Sequence, residues 1–398
     1  MFTVTQDVVL PTTVTGSWPR PQWFTENLAR RQLSSAMVES AFREQFSDAL
    51  ATVISDQQRA GLDILTTGDY HCDNDFFGRS WANYPLERID GLEGDDPPPA
   101  SRWDLEQAFP PGTLLNEIFT DWLGPTAVRE IDDDGRRLEY ARIWSMAQSR
   151  AVKPVRFGAI SAQALPGLIE VDPSVYDDDR RQVLWDLAGA MNGAWRELAA
   201  RGCKVIQLEE PNFHFGDGSE PEDELSFQVD AFNREVEGLD NVEVWVHTCF
   251  GNPNMQRVFK ETRYRQEALA IYLERLNCDV LTVEMKDRGY ADLEVFGEFR
   301  ESLSRKVAIG VVSHRTLQVE DPEEVARDVR EALRFIDPEK LILTSDCGFG
   351  RQGCTRGIAL HKAASIALGA NVVKRELGVP ETPVPLAEGA PEAPVTSA

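Results

Sequence analysis

A histidine and a cysteine, His247 and Cys249, stand two apart in a chain of 398 residues that carries only five His and six Cys. They follow the apolar run VEVWV (242–246). Extended backbone points residues i and i+2 to one side, so imidazole and thiol would face a common space. Glu284 follows the run DVLTV (279–283), and Cys347 follows KLILT (340–344). His247, Cys249, Glu284 and Cys347 together offer N, S and O donors, a tetrahedral set that suits zinc. For HTC alone, a buried histidine beside a small apolar cysteine is the simpler reading; four donors at three strand ends outweigh it. A free thiol of pKa about 8.5 is mostly protonated at neutral pH, and coordination removes that proton. Two thiolates and a carboxylate against Zn2+ leave one negative charge. Such a metal activates water poorly and leaves a bound thiolate reactive toward an alkyl carbon, so alkyl transfer to sulfur is expected rather than hydrolysis.

Strands must bring these donors together. Eight short runs, mostly continuous and rich in β-branched residues, read as strands buried on both faces. They are TTVT (12–15), LDILT (62–66), PVRFGAI (154–160), CKVIQL (203–208), VEVWV (242–246), DVLTV (279–283), KVAIGVV (306–312) and KLILT (340–344). Helical patterns lie between them, as in 180–202, where Gly202 reads as a stop. The alternation predicts an α/β fold, a (β/α)8 TIM barrel over 1–378, with an insertion of about 75–150 after the second strand. Within the insertion, 129–143 reads as a hairpin turning at DDDG. The Pro-, Ala- and Glu-rich stretch 379–398 reads as a disordered tail.

Barrel active sites gather at the C-terminal strand ends. There the sequence places Gly16 and Ser17, Asp69, Glu209 and Glu210, His247 and Cys249, Glu284, His314, and Asp346 with Cys347. His71 and Cys72 form a second His–Cys pair without further ligands nearby, which fits a structural or substrate-lining role. Cys203 and Cys278 open strands and belong to the core. Lys286, Arg288 and Arg351 are either anion-binding groups or solvated loop charges.

A net charge of -25 argues against nucleic acid or an anionic membrane as partner. No basic start with a long apolar run and no stretch of ~18 apolar residues is visible, so a soluble cytoplasmic protein with free thiols is expected.

LPTTVTGSWPRP (10–21), AGLDILTTGDYHCDND (60–75), VIQLEEP (205–211), VHTCFGN (246–252), DVLTVEM (279–285), IGVVSH (309–314) and LTSDCGFGRQ (343–352) resemble the cobalamin-independent methionine synthase family. The likeness is to its C-terminal catalytic barrel, in a short single-barrel form, and runs from Leu10 to about Ala370. The order HxC, VE, DCG is its most specific part. It implies a zinc-dependent methyltransferase of methionine biosynthesis, with His247, Cys249, Glu284 and Cys347 as ligands. Ser17, Asp69 and Glu209 would hold the amino acid part of homocysteine, and His314 would be the catalytic proton donor near the methyl donor. That donor is a methylfolate or a methylated corrinoid protein. The chain departs from the family in carrying Asp69 where a Glu is usual and Glu209 where an Asp is usual. It also lacks the pterin-stacking Trp in FGAISAQALPG (157–167), and the family's folate-holding acid falls near Phe215. Other readings are alkylation of another thiol, such as coenzyme M with an epoxide, decarboxylation in the related porphyrin-processing barrel, and a non-catalytic zinc or thiol-binding protein.

Overall fold

A computed structural model of the chain describes residues 2–28, 39–71, 80–93, 126–132, 135, 138–177, 179–211, 213–214, 220–251, 263–350 and 354–388. Seven strands pair in parallel, in the order β1 Leu65–Thr66, β2 Val155–Ile160, β3 Val205–Glu209, β4 Glu243–Thr248, β5 Val280–Val283, β6 Lys306–Val312 and β7 Leu341–Ser345. The segment 11–15 closes the circle between β7 and β1. Leu343 N–H donates to Pro11 O at 2.9 Å, and Thr13 N–H to Leu343 O at 2.9 Å. On the other side, Asp63 and Ile64 N–H groups donate to Thr12 O at 2.9 and 3.1 Å. The eight runs read from the sequence are the eight staves, and the (β/α)8 expectation holds.

Alternation along each strand sorts the interior into layers. The lowest layer is apolar: Ile64, Val205, Trp245, Val280, Ala308 and Ile342 pack together, with Phe2 and Val4 against them. Thr3 and Thr5 fasten this plug, donating backbone N–H to Glu243 Oε1 at 2.6 and 2.8 Å. Two residues further along the same strands the interior is polar, with buried Gln207, His247, Thr282 and Thr344. The next step reaches the C-terminal ends and the candidate site. An apolar floor under a polar mouth thus follows from the period of two.

Helices cover the outside. Helix α1, Ser40–Arg59, precedes β1, and helix α2, Tyr140–Gln148, precedes β2. Helix α3, Arg180–Ala200, buries Val183, Leu187, Met191, Ala194 and Leu198 at helical spacing. Its N-cap Asp179 accepts from Arg181 and Gln182 N–H at 3.0 and 3.2 Å. Gly202 then leaves the helix at φ +102, a conformation that favours glycine. Helix α4, Arg356–Leu377, starts on its cap Thr355 and stops at Gly378, φ +69. Among the described residues no helix is long and apolar enough to cross a membrane.

Two expectations are corrected. Among its described residues the stretch 129–143 forms no hairpin. Thr126–Ala127 pairs antiparallel with Leu92–Glu93 and parallel with Glu170–Val171, while Tyr140–Gln148 is helical. Tyr140, Ile143, Trp144 and Ala147 share one helical face and are buried, and Trp144 Nε1 donates to Val155 O at 2.9 Å. That spacing of three and four outweighs the turn signal of DDDG. Helix α2 is therefore the barrel's own helix before β2, and the insertion ends before it.

The second correction concerns the C-terminal stretch. Residues 379–388 pack on the barrel; 389–398 lie outside the described residues. Val384 is buried, Thr382 N–H donates to Asn371 Oδ1 at 2.8 Å, and Thr382 Oγ1 donates to Asp63 Oδ1 at 3.0 Å. Leu386 N–H reaches Arg59 O at 2.9 Å. Composition argued for disorder, but one apolar side chain and these hydrogen bonds outweigh it. A chain ending at Gly378 should melt several degrees below one ending at Glu388, because burying a Val contributes about 1.5–3 kcal/mol and each hydrogen bond about 1 kcal/mol. Calorimetry of the two chains decides, and equal melting temperatures reject the packing role.

Candidate active site at the C-terminal strand ends

At the end of β4, His247 and Cys249 face Cys347, which follows β7. One donor atom from each lies within 4.8 Å of the other two, and all three residues are buried. Cys249 Sγ is 3.8 Å from Cys347 Sγ. Two sulfurs each about 2.3 Å from a tetrahedral zinc stand about 3.8 Å apart, so the thiols fit such an ion. The two thiols titrate apart. Hydrogen bonding from Cys249, followed by the charge of His247, lowers Cys347 to about 6, while Cys249 is raised by the same bond and by burial.

Glu209, at the end of β3, accepts from Gln207 Nε2 at 2.5 Å and contacts His247 Nδ1 with its other oxygen. Burial would depress His247, but the Glu209 carboxylate beside it raises it to about 10. Burial would raise Glu209, yet His247, Gln207 and the buried Arg156 hold it below the usual carboxylate range. Asp69 follows β1 at φ +53. A Cβ built on Gly158 would stand 3.3 Å from Glu209 Oε1 and 3.8 Å from Asp69 Oδ1, so the two carboxylates share the space over that glycine. Ser17 leaves segment 11–15 against the loop after β7. A Cβ on Gly350 would come 2.7 Å from Ser17 Oγ, and Ser17 O accepts from Phe349 N–H at 2.8 Å.

Glu284 arrives at the end of β5 but falls outside the His247–Cys249–Cys347 group. Its Oε2 accepts from Phe250 N–H at 2.9 Å, and its Oε1 is 3.5 Å from Arg315 Nη2. It belongs to a second group with Asp287, His314 and Asp346. His314, at the end of β6, places Nδ1 3.0 Å from Asp287 Oδ2. Burial would raise Asp287, but His314 holds it down at about 2.

The strand-end rule named Glu210 without separating it from Glu209. Glu210, at φ +59, turns its carboxylate to Cys249, with Oε1 3.2 Å from Sγ. Burial pushes Glu210 up to about 8. His214 braces the same loop, with Nε2 2.8 Å from Cys249 O and Nδ1 3.0 Å from Tyr272 Oη. Neither Asp287 nor Arg315 could be singled out, because the turns that carry them show no pattern.

Several side chains flagged in the sequence serve elsewhere. His71 stacks on Phe157 at 4.9 Å, edge-on to Tyr84 and Tyr140, in a buried aromatic cluster. Cys72 and Arg351 lie outside the described residues. Lys286 pairs with Glu324 and Asp328, both at 2.6 Å. Arg288 pairs with Asp292 at 3.0 Å and covers the Phe250 ring at 3.7 Å. Cys203 and Cys278 are buried core residues.

Comparison with known proteins matches residues 139–367 to the family described as cobalamin-independent synthase, catalytic domain. Curated relatives named methionine synthase include one from Sulfurisphaera tokodaii, 27% identical over 93% of this chain and 94% of its own. One from Saccharolobus solfataricus is 28% identical over 93% of this chain and 96% of its own. Among solved structures, a B12-independent methionine synthase from Shewanella sp. W3-18-1 superposes with a TM-score of 0.72, at 22% identity over 93% of this chain and 99% of that one. A putative vitamin-B12-independent methionine synthase from Listeria monocytogenes gives 0.62, at 16% identity over 92% and 99%. These two share the fold. Because the matched catalytic domain spans more than half of its residues, the chain belongs to the cobalamin-independent synthase family of enzymes.

Proposed function

We propose that the protein transfers a methyl group to the thiol of homocysteine, giving methionine, at a zinc site of His247, Cys249 and Cys347 that Glu284 would complete on turning from Phe250 N–H. The observation that carries this reading is two thiols 3.8 Å apart beside a carboxylate pair, joined to it through the Glu209–His247 contact. The names of the relatives support it. Bound there, zinc would keep the substrate thiol deprotonated at neutral pH.

The chain's own residues do the rest. Asp69 and Glu209 receive the substrate ammonium over Gly158, and Ser17, at the end of segment 11–15, borders the same mouth against the loop after β7. The sulfur lone pair forms the new C–S bond as the methyl carbon leaves its donor, a methylfolate nitrogen or the cobalt of a methylated corrinoid protein. The bonding pair stays with the donor. Where that atom is nitrogen, His314, held by Asp287, supplies its proton. Burial of both thiols and of His247 keeps water from competing.

An ammonium between two carboxylates forms charge-assisted hydrogen bonds of roughly 1.5–3 kcal/mol each. Glu209→Gln should therefore lower kcat/KM for homocysteine by about tenfold or more, since about 1.4 kcal/mol is one decade. Zinc should be held more weakly but lost less completely than in Cys347→Ala, because Glu209 stands behind His247 and is not itself a proposed ligand. Steady-state kinetics with homocysteine and with 2-mercaptoethanesulfonate, which has no amino group, make the test. Preference of the wild type for the sulfonate thiol, or homocysteine kinetics untouched by Glu209→Gln, would rule out homocysteine as the acceptor.

A further inference from the structure

Asp346 carries no role in the scheme above, yet it is fully buried at the centre of the barrel mouth. The pairing of β6 with β7 slips just before it. Thr344 lies opposite Gly310, but Ser345 lies opposite Val312, so Val311 is bulged out. Such bulges re-aim a side chain. Here the Asp346 side chain is turned across β6, over Gly310, toward the end of β5. A Cβ on Gly310 would stand 1.8 Å from Asp346 Oδ1, so glycine is required for the crossing.

At the far side the carboxylate meets three consecutive backbone donors. Oδ1 accepts from Met285 and Lys286 N–H at 2.7 and 2.8 Å, and Oδ2 accepts from Asp287 N–H at 2.6 Å. These bonds fix the turn that follows Glu284. The last residue clamped, Asp287, is the one whose Oδ2 lies 3.0 Å from His314 Nδ1 and 3.3 Å from the His314 backbone N. The chain of contacts runs from β7 through the β5 turn to the imidazole at the end of β6.

We infer that Asp346 is a positioning residue: through Asp287 it sets the place of the His314 imidazole. The inference rests on the reading of His314 as proton donor. Asp346 follows β7 directly, so its anchor is the sheet itself, whereas Asp287 and His314 stand on turns.

Asp346→Asn tests this with nearly unchanged shape. The amide oxygen can keep the two N–H groups of Met285 and Lys286, which leaves the amide nitrogen facing the Asp287 N–H, donor against donor. Hydrogen exchange followed by mass spectrometry should show faster exchange in 285–287 than in wild type. With a methylfolate donor, kcat should fall by up to about a hundredfold, the cost that a misplacement near 1 Å can reach. KM for homocysteine and zinc content should stay within twofold of wild type. Asp287→Ala leaves all three N–H bonds in place and should lower kcat by a similar factor. The double variant should be no slower than the slower single, because both act on one imidazole. Unchanged exchange at 285–287 overturns the clamp. Multiplying effects of the two substitutions, or loss of zinc in Asp346→Asn, overturn the route through Asp287 and assign Asp346 to the support of Cys347. His314→Ala is the separate control: if it leaves kcat untouched, the proton-donor reading falls, while the exchange data still judge the clamp. Should Asp346→Asn fail to fold, an undiminished kcat in Asp287→Ala overturns the inference by itself.

Discussion

Cys347→Ala should purify with little zinc and with methyl transfer reduced by more than the roughly 10- to 100-fold that loss of a group behind a ligand costs. The physical reason is the geometry of the thiol pair. Cys249 and Cys347 stand 3.8 Å apart with His247 beside them. Removing either thiol leaves a single sulfur and an imidazole with Glu284, whose carboxylate is tied to Phe250 N–H. Three ligands hold zinc less firmly than four, and the site must also admit a substrate thiol. Elemental analysis after dialysis measures the occupancy. Cys278→Ala, at the opposite end of β5, is the control and should keep its metal. Full occupancy in both Cys347→Ala and Cys249→Ala would reject the zinc assignment.

The largest effect on stability should come from one methyl group. In Gly310→Ala the new Cβ would lie 1.8 Å from Asp346 Oδ1 and 2.6 Å from Asp346 Cα. A rotamer change could relieve the first contact but not the second, which is backbone. Overpacking of this kind costs typically about 1–3 kcal/mol. Moving the carboxylate would also leave the N–H groups of 285–287, one buried and two part-buried, without their acceptor, at up to about 1–3 kcal/mol each. The sum reaches the whole stability of an ordinary domain, roughly 5–15 kcal/mol, so the variant is expected to be insoluble or to unfold at low urea. Gly378→Ala is the comparison. That glycine is also at positive φ, but its Cβ would meet nothing within 4 Å. It should cost only about 1–2 kcal/mol of left-handed strain. Urea midpoints of the two variants decide, and a Gly310→Ala midpoint at the wild-type value contradicts the crowding argument.

The barrel was legible because its staves are apolar on both faces. Runs such as KVAIGVV and KLILT need no partner to be recognised, and the residue after each run falls at the mouth by construction. Hence His247, Cys249, Glu284, Cys347 and His314 could be named before their geometry was known. What stayed hidden depends on contacts across the chain. The bulge at Val311 has no local signature, so Asp346 could be placed at the mouth beside Cys347 without its reach to the turn after β5 being foreseen. Glu210 differs from Glu209 only in a backbone angle. The hairpin expectation over 129–143 trusted DDDG and overlooked the helical spacing of Tyr140, Ile143, Trp144 and Ala147. The expectation of a free tail from Val379 counted prolines, whereas Thr382 and Val384 are held by Asn371 and by the loop before β1.

Closure of the barrel by segment 11–15 has a consequence for synthesis. Thr15 N–H bonds to Ser345 Oγ at 3.0 Å, across 330 residues of chain. At about 5–20 residues per second, the first stave leaves the ribosome roughly 15–65 seconds before its partner exists. During that interval segment 11–15 has no β7 to pair with, and its backbone groups form an open edge that other chains can add to. Local βαβ units, such as β3 and β4, can pair at once, because their partners are close in sequence. The nascent protein therefore has to be kept soluble as an open curved sheet, and the thiols of Cys249 and Cys347 meet only when its ends join. Were zinc bound at the proposed site, the four ligands could come together only after the last stave is in place, so loading would follow closure of the barrel.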